Sequence, residues 1–164
     1  MLLRPLPTGA NAPVTSGTGN LTVIGNRHVT QAATGDLTTG GGTIDVEAES
    51  GSITMTDSGT DSALAVTGGG NLRYSAAVNI VLGGLDAGAG SVSLTATAGA
   101  ITDGGDTSVD VRAGNLRLTA GLGAGSSANA LDIAVTTIAA QAAGSLFLAE
   151  SDDLTVGTVA GVQV

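Results

Sequence analysis

Gly90-Ser91-Val92-Ser93-Leu94 and Gly114-Asn115-Leu116-Arg117-Leu118 decide the fold. Each is a glycine, a small polar residue, then two aliphatics with one polar residue between them. In an extended strand, alternate side chains point to opposite faces. Leu116 and Leu118 therefore face inward while Arg117 faces out. A helix would scatter these residues around its surface, so the period of two identifies strand. The pattern recurs as Gly19-Asn20-Leu21-Thr22-Val23, Gly51-Ser52-Ile53-Thr54-Met55, Gly70-Asn71-Leu72-Arg73-Tyr74 and Gly144-Ser145-Leu146-Phe147-Leu148. Looser copies are Thr43-Ile44-Asp45-Val46, Ser108-Val109-Asp110-Val111 and Asp153-Leu154-Thr155-Val156. The alternation places Asp45, Thr54, Arg73, Ser93, Asp110 and Thr155 outside.

The strands are about five residues long and begin roughly every 7–12 residues, a spacing of all-β architectures. Between them lie turn-forming runs such as Thr39-Gly40-Gly41-Gly42, Thr67-Gly68-Gly69-Gly70 and Asp103-Gly104-Gly105-Asp106. A β-sandwich needs no likeness between its strands. Stacked coils do need it, because one rung alone cannot bury its apolar face. The reading is therefore an all-β parallel β-helix, or β-solenoid, with about three short strands per coil. Ala113-Gly114-Asn115-Leu116-Arg117-Leu118 recurs as Ala143-Gly144-Ser145-Leu146-Phe147-Leu148, which aligns Ile101, Val109 and Leu116 with Leu131, Ile138 and Leu146. The Ala-rich run 127–144 could present Leu131, Val135, Ile138 and Ala142 as a helical stripe. Its β-branched residues, Ile133, Val135, Thr136, Thr137 and Ile138, favour strand, and strand is the expectation. Residues 1–16, with Pro5, Pro7 and Pro13, read as an irregular lead-in. Residues 17–164 read as the repeat region, expected to continue beyond this stretch, because the pattern has no capping coil at its end.

Composition fits a narrow solenoid. The chain has 164 residues, with 42% hydrophobic residues but one Phe, one Tyr and no Trp, so its core is aliphatic. Its 27 glycines follow no three-residue period, which excludes collagen. The net charge is -9, and the five basic residues, all Arg, form no cluster. That argues against nucleic acid or an anionic membrane surface as partner. No apolar run approaches the ~18 residues of a spanning helix, so no membrane insertion is expected. The Met1-Leu2-Leu3-Arg4-Pro5-Leu6-Pro7 start is unlike a signal peptide, so an export signal would lie elsewhere. Without Cys there are no disulfides, Cys-based zinc sites or thiol catalysis.

Few residues suggest chemistry. His28, beside Arg27, is the single His and reads as a turn residue. Arg73 and Arg117 occupy the same repeat position, and with Arg112 they read as solvated charge on a β-face. Asp57, Asp61, Asp103, Asp106, Asp110, Asp152 and Asp153 lie in or near turns, where calcium could be held if several oxygens converged. The calcium-roll pattern Gly-Gly-x-Gly-x-Asp is absent, and acidic turns are ordinary in so acidic a chain. The expectation is no metal, no cofactor and no catalytic residues. Thr54-Met55-Thr56 and Thr95-Ala96-Thr97 resemble ice-binding ranks, but their middle residues face inward and the pairs do not recur coil after coil. Phe147 points outward, as single apolar residues often do.

Gly-Asn-Leu-Thr-Val, Gly-Ser-Ile-Thr-Met, Gly90-Ser91-Val92-Ser93-Leu94-Thr95-Ala96 and Gly99-Ala100-Ile101-Thr102-Asp103 resemble the repeats of filamentous haemagglutinin-like adhesins, giant β-strand-repeat surface proteins of Gram-negative bacteria. The stretch from Asn115 to Val156 looks like the long β-strand-repeat proteins of that kind, and the resemblance covers most of residues 19–160. It implies a right-handed β-helix shaft, an extracellular or outer-surface location, and attachment to host-cell or surface glycans or proteins. It implies no catalysis. Two other functions compete with this one. A filament subunit would pair end to end through open solenoid ends. A polysaccharide-active enzyme would use Arg73 and Arg117.

Overall fold

The computed structural model describes residues 8–10, 12–58 and 61–164, the side chains of 8–10 excepted. The described residues are all-β and include no helix, hence none long and apolar enough to cross a membrane. The chain winds as a solenoid of about six turns. The first coil holds β1 (Thr8–Ala10), β2 (Val14–Ser16) and β3 (Leu21–Gly25). The second holds β4 (Val29–Gln31), β5 (Leu37–Thr39) and β6 (Ile44–Ala48). The third holds β7 (Ile53–Met55), β8 (Leu64–Thr67) and β9 (Leu72–Ala76). The fourth holds β10 (Ile80–Leu82), β11 (Gly84–Asp86) and β12 (Ser91–Ala96). In the fifth, β13 (Ile101–Asp103) precedes the long β14 (Val111–Ala120), which serves two faces. In the sixth, a bridge at Ala124 precedes the equally continuous β15 (Leu131–Ala142). Below it, Leu146, β16 (Leu148–Glu150) and β17 (Thr155–Val156) begin another coil.

Every strand pairing among the described residues is parallel. On the first face Thr8, Val29, Ile53, Ile80, Ile101, Ala124 and Leu146 form one column, in steps of 21, 24, 27, 21, 23 and 22 residues. On the third face Leu21, Ile44, Leu72, Val92, Leu116, Ile138 and Val156 form another. These columns are the core. Leu116 and Leu118 are buried and Arg117 is exposed, as the period of two predicts. Each buried Leu or Ile contributes about 1.5–3 kcal/mol by leaving water. The second face is narrower, with Leu37, Ala65, Leu85, Val111 and Ile133 inward.

Three expectations are corrected. The 30-residue alignment of Ala113–Leu118 with Ala143–Leu148 is not the coil register. Leu116 pairs with Ile138, and Leu146 belongs to the column of Ile101. The two motifs sit at different corners, and β14 and β15 each run through the corner between the second and third faces as one unbroken strand. Asp110 is buried, not outward. The strand starts only at Val111, so Asp110 belongs to the corner before it. The lead-in is not wholly irregular, because Thr8–Ala10 and Val14–Ser16 are strands paired with β4 and β5. Pro13 precedes β2 and so removes no bond from inside a ladder. Pro5 and Pro7 lie outside the described residues. Residues 131–142 are strand, not helix.

Candidate functional site

Corners decide where polar groups meet. Between the first and second faces the corner varies in length. In the fourth coil Gly83 alone joins β10 to β11. The longer corners of the third and fifth coils close across it. There the Asp106 N–H donates to Asp57 Oδ2 at 3.1 Å, and the Ser62 hydroxyl donates to Asp57 Oδ1 at 2.6 Å. A side chain at Gly104 would strike Asp57, so the glycine permits this approach.

Asp103 ends β13 directly above Leu82, in the inward column that also contains Gln31 and Met55. A carboxylate thus stands where neighbouring coils place apolar or amide side chains. Asp110 and Asp132 precede the paired residues Val111 and Ile133, so they stack on adjacent coils. The Asp132 N–H donates to Asp110 Oδ2 at 2.8 Å. Among the described residues, Asp103, Asp110 and Asp132 bring one carboxylate oxygen each within 4.8 Å of the others.

Electrostatics there are unfavourable for three free anions. Burial pushes the Asp110 carboxyl up to about 8, and the nearby charges of Asp103, Asp132 and Asp57 push the same way, against the Asp132 N–H. Burial also raises Asp103, opposed by the Gly105 N–H and reinforced by Asp57. Asn129 approaches Asp103 as well. No ion pair of the described residues reaches this corner, since Arg73 and Arg112 are engaged elsewhere. Asp132 opens on a half-open recess of about 190 Å³, lined by Thr107, Val109, Ile133, Glu150 and Ser151 among others.

The remaining sequence candidates disperse. His28 caps a corner, with Nδ1 accepting the Ser52 N–H at 3.1 Å. The same corner continues upward, where Ser52 Oγ accepts the Asn79 N–H and Asn79 Oδ1 accepts the Ala100 N–H. Arg73 and Arg117 share one outward column, separated by Ser93. Arg73 is held by Asp45 at 2.8 Å and Glu47 at 3.0 Å. Arg112 stands 3.9 Å from Asp86 on another face. Asp61, Asp152 and Asp153 are exposed and outside the acidic cluster. Met55 and Ala96, the middle residues of the two Thr-x-Thr runs, are buried, and the runs lie on different faces. Phe147 is exposed. The sequence reading missed the convergence of Asp103, Asp110 and Asp132, and it did not foresee Tyr74 and Gln31 bonded to each other inside the coil at 3.0 Å.

Compared with known proteins, the chain matches no family, no curated protein and no solved structure.

Proposed function

We propose that the chain is a non-enzymatic shaft segment of a secreted or surface-attached bacterial adhesin, a stiff rod that holds a binding surface away from the cell. One observation carries this reading: the same inward columns run through every described coil without a break. A rod needs only that continuity. Inter-coil hydrogen bonds lie along its axis, and its outward columns are free to vary. Host or surface glycans and proteins are the partners this role implies, and the outer cell surface is its place. An enzyme built on Arg73 is a weaker reading, because Asp45 and Glu47 already occupy that guanidinium.

A self-assembling filament is the second reading. It rests on the same parallel stacking, since a coil that pairs edge to edge with the next coil of its own chain could pair in the same way with a coil of another chain. Proteomics of the source material separates the two. A native polypeptide far longer than this chain, rich in such coils, supports the shaft. A mature chain of this length that forms fibres as its concentration rises overturns the shaft in favour of the filament.

A further inference from the structure

Three acidic side chains gathered at one corner could be no more than repulsion tolerated by the fold. One of them is different. Asp103 is 9% exposed and sits at an inward position. Its Oδ1 accepts the Gly105 N–H at 2.8 Å. Its Oδ2 is enclosed and closes no hydrogen bond. A buried carboxylate oxygen without a partner is costly and calls for a counter-group. Backbone supplies none, no Arg reaches it, and Asn129 comes near without closing a hydrogen bond. What stands around it is more oxygen, from Asp110 on the same coil and Asp132 on the next.

We propose that Asp103, Asp110 and Asp132 form a binding site for a calcium ion, which ties the fifth and sixth coils together at their acidic corner. The donor set is all oxygen, which selects a hard cation over zinc or copper. Calcium sits about 2.3–2.6 Å from its ligands, so two oxygens on opposite sides of it lie roughly 5 Å apart. The three carboxylate oxygens fit inside that span at 4.8 Å. Magnesium, with ligands at about 2.0–2.1 Å and strict octahedral geometry, fits less well. The recess beside Asp132 gives the ion an entry path and leaves room for water ligands. Asp57, close to both Asp103 and Asp110, adds negative charge from the third coil. This site replaces the sequence-based expectation of no metal, and it stands whether or not the rod serves in adhesion.

The test uses the whole chain, freed of metal by chelator and then titrated with calcium chloride, by calorimetry and by thermal melting. One calcium per chain is expected, with Kd between about 10 µM and 1 mM. At a hundredfold excess over Kd the melting temperature should rise by about 5–10 °C. Asp110→Asn and Asp132→Asn should each weaken binding at least about tenfold, while Asp152→Asn, outside the cluster, should bind like the parent. Asp132→Asn serves if Asp110→Asn fails to fold, since Asp132 is less buried than Asp110. The proposal is overturned if the parent binds no calcium at millimolar concentration. It is also overturned if magnesium stabilises as well as calcium, or if both corner variants respond like the parent, because either result is diffuse screening of an acidic rod. A parent unmoved by calcium and less stable than Asp110→Asn would show that the corner holds a proton instead.

Discussion

At the residue scale, the glycine of the repeat motif has a steric cause. Gly19, Gly42, Gly70 and Gly90 stand over one another at the corner before the third face. A Cβ on Gly42 would strike the carbonyl oxygen of Gly19, one on Gly70 that of Gly42, and one on Gly90 that of Gly70. Gly70→Ala should therefore destabilise the chain by about 1–3 kcal/mol, seen as a lower melting temperature. Gly161→Ala, where a Cβ meets nothing, should leave it within about 0.5 kcal/mol. The residue after the glycine ties coil to coil. Asn20 Oδ1 accepts the Thr43 N–H and Asn71 Oδ1 the Ser91 N–H, each on the next coil. Tyr74 is the other residue with a distinct signature. It is fully buried, its hydroxyl donates to Gln31 Oε1 at 3.0 Å, and Gln31 donates to the Leu64 carbonyl at 2.7 Å. Burial raises the phenol's pKa above its ordinary value. The folded state therefore holds this proton more tightly than the unfolded chain, which releases it near pH ~10. The associated stability is intact below that pH and declines as pH climbs beyond it. Denaturant melts across the alkaline range should show the decline in the parent. Tyr74→Phe should flatten it, at a neutral-pH cost of about 1–3 kcal/mol for the stranded Gln31 oxygen.

At the element scale, strands and their inner faces were legible, and corners were not. The period of two fixed which way Leu116 and Arg117 point because both lie within one unbroken strand. Leu116→Asp should remove at least about 4 kcal/mol, since it buries an unpaired charge. Arg117→Ser should change little, because Ser93 already fills the same column one coil away. Circular dichroism melts of the two variants check the register directly, and equal melting would refute it. The register between coils was misread because one motif marks two corners. Four copies on the third face continue as apolar-x-apolar-x-Ala, Ile44 to Ala48, Leu72 to Ala76, Val92 to Ala96 and Leu116 to Ala120, while the first, Leu21 to Gly25, closes on Gly. Copies on the first face do not, since Ile53 leads to Asp57 and Leu146 to Glu150. That closing alanine, stacked coil upon coil, was the available signal. The acidic corner had a weaker one. Asp110 repeats the job of Asp36, whose Oδ1 accepts the Leu64 N–H of the next coil at 3.0 Å. Its meeting with Asp103 depends on corner lengths, which no alternation encodes.

At the scale of the whole molecule, each coil packs chiefly on its neighbours, the exceptions being the third and fifth coils meeting at Asp57 and the Asn71 amide donating to the Gln163 carbonyl. Six coils at the ordinary strand spacing of ~4.8 Å make a stack about 30 Å long. Stability is then close to a sum of coil and interface terms. Excising residues 80–100 should test this, because Ile101 would then stack on Ile53 in the place of Ile80. The shortened chain should keep its β circular dichroism and melt at a lower temperature. A chain that unfolds outright would mean that coils depend on more than their neighbours.

The regular step of 21 to 27 residues between stacked partners also governs how the molecule yields when pulled. Tension applied at the two ends of the stack loads one rung's ladder at a time. Each rung that peels away releases roughly 70–95 Å of extended chain, at about 3.3–3.6 Å per residue, before the next takes the strain. The stack would unwind like line from a reel, in steps of nearly equal length, absorbing work at each one while the rungs behind stay wound.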